Sequence, residues 1–337
     1  MLNHVVMQNF GPLHQLNWAN LQGINLIIGK NSSGKTFLLK ALYCGMRALE
    51  EYKRGNEPRT AAEILAEKLY WTFQADKIGD LVSKGADAPL ACHMGVDNQH
   101  FHYSFGPGTT KNISFVENHV TPRESNSIFL PPKEVLSLQH IILTSREQEK
   151  VFGFDDTYYD LVKALRIPTK RGINYKTFAD ARFHLESMLD GKIEFDENAN
   201  RWQFKKGNQR FNIGVTAEGV KKIAILDTLL GNRFLSPESV IFIDEPESAL
   251  HPAAIVQLLD IVAALASQGI QFFIATHSYF VIKKLYLIAQ EHSMSIPLLS
   301  AVDNTWQQAD LKAGMPDNPI IAESVELYRE EVSQTLA

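Results

Sequence analysis

The chain has 337 residues, 45% hydrophobic and 21% charged, with a formal net charge of −5. That length can bury a large core in one big domain or two smaller ones, and the composition is ordinary for a soluble globular protein. The acidic balance excludes a broadly basic, nucleic-acid-coating surface, though not a local basic groove.

Two cysteines, Cys44 and Cys92, supply no disulfide framework. They read as small buried apolar residues of a protein in a reducing cytoplasm. No apolar run approaches the ~18 residues that a membrane span needs. The opening MLNHVVMQNFGPL lacks a basic start and an apolar signal core, and reads as a first strand and turn.

Residues 1–28 alternate apolar stretches with Asn9, Gly11-Pro12 and Gly23, which predicts two or three strands. The last of these, Ile24 to Ile28, runs into GKNSSGKT at 29–36, and an apolar helical run begins at Phe37. The octapeptide fits G-x-x-x-x-G-K-[ST] at Gly29, Gly34, Lys35 and Thr36. Strand, glycine turn, helix is the context in which backbone N–H groups wrap a polyphosphate. There Lys35 reaches the outer phosphates and Thr36 can ligate Mg²⁺. A chance Gly/Ser turn is the plain alternative, and the flanking strand and helix disfavour it.

Residues 37–75 read as helical, broken at 54–58. Between 88 and 120, short strand-like runs separated by turns predict an antiparallel meander. Ser127 to Leu130 is another short apolar run, stopped by Pro131-Pro132. From 133 to 190 the pattern is mostly helical, with a basic loop at 168–172. Residues 192–213 predict an antiparallel pair turning at Gly207-Asn208, and 216–230 a helix that Thr216 can cap. SVIFID at 239–244 and IQFFIA at 270–275 fit buried central strands of a parallel sheet, joined by an amphipathic helix over 252–268.

The run SVIFIDEPESALHP is the second strong signal. An apolar strand ending in Asp244-Glu245 is a Walker B pattern, in which Asp244 holds Mg²⁺ and Glu245 polarises the attacking water. Third, a strand ends at Thr276-His277-Ser278, on the edge where α/β folds bind ligands, so His277 can contact a γ-phosphate. A lone histidine is more often structural; its order after the Walker B strand favours function.

The sequence order of these signals resembles the ABC-type ATPase head, and more narrowly the bacterial AAA-family proteins related to OLD-family, RecF-like and SMC-like ATPases. NFGPL, GINLIIGKNSSGKT, AEGVKKIAIL, DEPESALHP and ATHSYF carry the resemblance, which covers most of the chain. It implies a P-loop α/β domain over 1–337 with a mostly parallel sheet, a helical and antiparallel lobe at 45–125 and a helical insertion with a β-hairpin at 145–215. Gly29, Lys30, Asn31, Ser32, Ser33, Gly34, Lys35, Thr36 and Phe37 would bind ATP, with Thr36 and Asp244 on Mg²⁺. Glu245 would be the catalytic base, assisted by Lys35 and the switch histidine His277. Ala217, Glu218, Gly219 and Lys221 would form the signature that meets the γ-phosphate of a second copy, and Ser248 to His251 the D-loop. A homodimer sandwiching ATP follows.

Two departures stand out. Ala217-Glu218-Gly219 replaces the usual leucine-serine-glycine-glycine run, and His251 replaces a common aspartate. The Q-loop falls near 130–139, where Glu134 and Gln139 are the candidates and Glu134 is preferred as a metal contact.

Three roles compete for the hydrolysis. A transporter head is disfavoured by the 216 − 36 = 180 residues between phosphate loop and signature. An SMC role lacks the long coiled coil; a RecF-like DNA-repair ATPase stays as the alternative. The 337 − 277 = 60 residues after His277 are too few for a Toprim nuclease, and Asp303, Asp310 and Asp317 read as surface loop acids. A P-loop kinase or GTPase fits less well, since no N-K-x-D is present. The preferred expectation is an OLD-like ATPase serving a separately encoded effector, as in anti-phage or toxin-like modules. DNA contact rests only on Lys163, Arg166, Lys170 and Arg171, and on Lys205, Lys206 and Arg210, which read first as solvated faces.

Overall fold

The computed structural model describes residues 1–168, 178–302 and 305–336. Lys170, Arg171 and Asp303 therefore lie outside the described residues. The chain opens with β1 (Leu2–Phe10), β2 (Leu13–Trp18) and β3 (Ile24–Gly29), then α1 (Lys35–Glu51) and α2 (Ala61–Phe73). Strands β4 (Leu90–Val96), β5 (Gln99–Phe105), β6 (Phe115–Asn118) and β7 (Ser127–Leu130) follow. Next come α3 (Gln139–Leu143), α4 (Asp156–Leu165), α5 (Ala179–Leu189), β8 (Lys192–Asp196), β9 (Arg201–Lys206) and β10 (Gln209–Asn212). The last third holds α6 (Glu218–Gly231), β11 (Val240–Asp244), α7 (Pro252–Ser267), β12 (Gln271–Thr276), α8 (Tyr279–Glu291), β13 (Pro297–Val302), β14 (Thr305–Asp310) and α9 (Pro319–Leu336).

A six-stranded sheet in the order β14-β13-β3-β12-β11-β7 forms the centre. Its strands run parallel except β14, which returns antiparallel beside β13. The uniformly apolar strand sequences are explained by burial on both faces. Along each strand the two-residue alternation divides two cores. Leu26, Ile241, Ile243, Phe272 and Ile274 face one side, beneath α6, α7 and α8. Ile27, Val240, Phe242, Phe273 and Ala275 face the other, beneath α1 and the antiparallel sheet. Tyr43 of α1 meets Phe129 and Phe242 edge-on there, and Trp18 meets Phe273.

The expected meander is present, but β1 and β2 join it, giving the antiparallel sheet β2-β1-β4-β5-β6. The segment 192–212 holds three strands where a pair was expected. The extra turn comes from Asp196, whose Oδ1 accepts from the N–H groups of Asn198 and Ala199, with Asn200 at φ 47°. Asp310 is not a loop acid: it ends β14 and accepts from Ser295 Oγ at 2.5 Å and from the Ile296 N–H at 3.1 Å. Asp317 does lie exposed in a loop. Among the described residues no helix is long and apolar enough to cross a membrane.

Adjacent strands β3, β12 and β11 end on the same sheet edge, because parallel pairing aligns their carboxyl ends. That edge collects the phosphate loop, His277 and Asp244-Glu245.

Candidate nucleotide site

The loop after β3 is shaped by backbone that few side chains tolerate. Gly34 sits at φ 91° as the N-cap of α1, and Ser32 at φ 62°. A Cβ on Gly29 would lie 2.8 Å from both Ala301 Cβ and Ser33 Oγ. No side chain caps α1, so its first N–H groups remain available to an anion.

Lys35 is buried and turns its Nζ back to donate to the carbonyls of Gly29 and Lys30, both at 2.8 Å. Burial lowers its pKa, a push opposed by Asp244, Glu245 and Glu247. Thr36 Oγ1 donates to Asp244 Oδ2 at 2.8 Å, across 208 residues of sequence. Asp244 is buried as well, and burial raises its pKa despite the Thr36 hydrogen bond.

Beside this pair the chain leaves β11 through Glu245 at φ 50°. That left-handed turn carries the Glu245 carboxylate out to 36% exposure, with Oε1 3.3 Å from His277 Nδ1. Residues 31–37, Glu245 and His277 line an open pocket of ≈ 430 Å³. Sequence reasoning did not assign Glu247 or Lys222 here. Glu247 Oε1 accepts from Thr276 Oγ1 at 2.6 Å and lies 3.9 Å from His277 Nδ1, while its buried Oε2 has no hydrogen-bond partner. Lys222 donates to the Glu245 carbonyl at 3.2 Å. The second acid of DEPE was the available signal for Glu247; Lys222, one helical position past Lys221, had none.

The oxygens present suit a hard cation. Thr36 and Asp244 offer the hydroxyl and carboxylate donors that Mg²⁺ prefers. Buried Ser33 Oγ, without a hydrogen-bond partner, fits a loop shaped for a further acceptor.

Other expected residues stand elsewhere. Glu134 shares with Asp244 a small cavity of ≈ 40 Å³, but its oxygens are taken by Lys221 Nζ at 3.1 Å and by Ser137. Gln139 accepts from Trp202 Nε1 at 2.5 Å and so anchors the three-stranded sheet. Lys221 is buried and also pairs with Glu218, so it faces inward rather than toward a second copy. Thr216 does not cap α6: Ala217 is the N-cap, without a side-chain bond, and Thr216 Oγ1 bonds the Asn212 carbonyl at 3.4 Å. Ala217 and Glu218 are exposed at this uncapped helix start. Gly219 permits the close approach of the Ala249-Leu250 turn, since a Cβ there would lie 2.9 Å from Leu250 Cδ2 and 3.0 Å from the Ala249 carbonyl oxygen.

The described residues of the basic patches have local partners. Lys205 and Arg210 both lie 3.8 Å from Glu194, and Lys206 lies 2.5 Å from Asp190. Lys163 and Arg166 rest over the rings of Tyr159 and Phe195. Cys44 and Cys92 are buried free thiols, both pushed up to about 12 by burial.

The fold and the phosphate-loop geometry define an ABC-type P-loop ATPase head. A family model described as AAA domain, putative AbiEii toxin, Type IV TA system, matches residues 112–283, half of the chain, and the protein belongs to that family. Among solved structures, an SMC head bound to the C-terminal winged-helix domain of ScpA is similar, with TM-score 0.53 and 14% identity over 92% of this chain and 97% of that one. An SMC head with an extended coiled coil, bound to the C-terminal domain of ScpA from Pyrococcus furiosus, is similar with TM-score 0.50 and 12% identity, over 98% and 99%. At such identity the likeness is one of fold. No functionally curated protein matches the chain by sequence.

Proposed function

We propose that the protein binds ATP with Mg²⁺ in the pocket above Gly29 to Thr36 and hydrolyses it between two copies of the chain. The 2.8 Å bond between Thr36 and Asp244, beside the Glu245–His277 pair, carries this reading. The loop N–H groups and the α1 N-terminus would hold the phosphates, and Lys35 would exchange two carbonyls for phosphate oxygens. Thr36 and Asp244 would hold Mg²⁺, which neutralises phosphate charge when bound. Glu245 would take the proton of the attacking water, while His277 orients the carboxylate. The exposed start of α6 would present Ala217, Glu218 and Gly219 to the γ-phosphate on the partner copy; Lys221 plays a supporting role through Glu134.

Glu245→Gln should bind ATP and accumulate a dimer while hydrolysis falls by at least a hundredfold, read by phosphate release and light scattering. Hydrolysis at the wild-type rate would remove Glu245 as base. We further read the ATPase as serving a separately encoded effector in a defence or toxin-like module, supported by the family's toxin–antitoxin description. Co-purification with the product of the neighbouring gene tests it: an ATP-dependent complex is expected, and no complex in any nucleotide state sinks it. DNA repair has less support, since the described basic patches face acids or aromatic rings.

A further inference from the structure

The outer face of the antiparallel sheet carries five imidazoles. Strand alternation sends Cys92, Met94, Phe101 and Tyr103 into the core and turns His93, His100 and His102 outward. His4 of β1 and His119, just past β6, join them. Register fixes the arrangement: His93 pairs with His102 across β4 and β5, while Gly95 pairs with both His4 and His100. Gly95 makes the space, since a Cβ there would fall 2.1 Å from the His4 ring. Ring centroids lie 5.4 Å apart for His4–His93, 5.6 Å for His93–His102, 5.8 Å for His93–His100 and 5.6 Å for His100–His119. None of the five strands contains a lysine or arginine, and Glu117 is their one acid.

We propose that His93 and His102 anchor a surface site for a divalent transition-metal ion of the zinc, nickel or copper class. With metal–nitrogen bonds of about 2.0–2.1 Å, two imidazoles sharing a tetrahedral ion have centroids roughly 5 Å apart. The cross-strand pair is within a small side-chain rotation of that spacing. Imidazole is the ligand these ions favour over Mg²⁺, so the site is chemically separate from the Thr36–Asp244 oxygens. His4 Nδ1 lies 2.8 Å from Asn3 Oδ1, an arrangement that donates from Nδ1 and leaves Nε2 for a metal. As the rings stand, no group of three donors among the described residues converges on one point. The exposed His100 therefore supplies a third ligand by rotating, and water completes the shell.

The test titrates Ni²⁺ by calorimetry into the full-length, tag-free protein with Mg²⁺ in excess. One saturable ion is expected. His93→Ala and His102→Ala should each weaken it at least tenfold, while His14→Ala on β2 leaves it unchanged. Paramagnetic Ni²⁺ should broaden the ring C–H resonances of His93, His100 and His102 before those of His14 and His292. If an alanine variant melts early, His93→Gln and His102→Gln are read in its place. Absence of a saturable ion, or an affinity indifferent to both anchor substitutions, overturns the proposal.

Discussion

At its N-terminal end, helix α1 offers Lys35 to two carbonyls and Thr36 to one carboxylate, next to the part-exposed Glu245 and His277. Farther along the same helix, Lys40 pairs with Asp155 at 2.7 Å and the Tyr43 hydroxyl donates to Asp160 at 2.7 Å. Arg47 bonds Glu50 and Glu51, and Lys68 of α2 closes on Asp160 at 2.8 Å, Glu51 at 3.2 Å and Asp156 at 3.5 Å. Both regions bury charge. In the second, burial alone would raise Asp160, but Lys68 and Arg47 outweigh it and hold the carboxyl down to about 2. In the first, burial prevails on both Lys35 and Asp244. Lys68, Arg47 and Asp160 are matched to one another inside the protein, although burial still prevails on their neighbours Glu50 and Asp156; at the pocket both central charges are left short of partners that a ligand can supply.

Four substitutions can break that contrast. Lys68→Ala should have the largest effect, a loss of about 3–5 kcal/mol in urea unfolding, because it removes the buried cation that Glu51, Asp156 and Asp160 share. A loss under about 1 kcal/mol would mean the network is not what secures α4. Lys35→Ala should weaken ATP binding by about a hundredfold or more, near 2.7 kcal/mol, with the melting temperature almost unmoved. Tight binding in that variant would overturn the site. The third concerns acid. Asp160 titrates lower folded than unfolded, so its stabilisation is complete above the unfolded carboxylate value of about 3.9 and drains away as pH falls toward about 2. Asp160→Asn should flatten that acid limb in pH-dependent unfolding, and an unchanged limb would contradict the pairing. Asp244→Asn should have the smallest effect on the fold, and in the opposite direction. Its folded pKa is raised, so the charged form is penalised at neutral pH and removing the charge should raise the melting midpoint by about 1–3 °C. Hydrolysis should be lost; a lower midpoint would refute the reading.

Much of the pocket was legible because its information is local. GKNSSGKT needs only its own glycines and the next helix, and DEPE and THS each sit at the end of an apolar strand. What escaped depends on distant neighbours. Glu134 and Lys221 looked like ligands in isolation, and only folding shows that they neutralise each other. Thr216 looked like a cap, but the short turn over Ile213–Val215 moves the helix start two residues on. Sheet membership of β1 and β2 was hidden because alternation fixes a strand's faces, not its partners. The ionic network had one sequence clue: Lys68 lies on the buried stripe of α2 with Ile64, Leu65 and Thr72. The histidines gave none, being dispersed over four places in the chain.

Helix α1 is 17 residues long, a rod of roughly 25 Å without a proline. At Gly45 the rod has no side chain, and Met94 presses where a Cβ would be 2.4 Å from its sulfur. One end of the rod is the phosphate loop, and its body is tied to α4 at Lys40, Tyr43 and Arg47, on both sides of the Gly45 contact with the antiparallel sheet. Any tilt imposed at the loop must therefore swing α4 with it or tear buried ion pairs. The inserted segment is thus tied through α1 to the phosphate loop, though α4 starts 120 positions, 156 − 36, after Thr36.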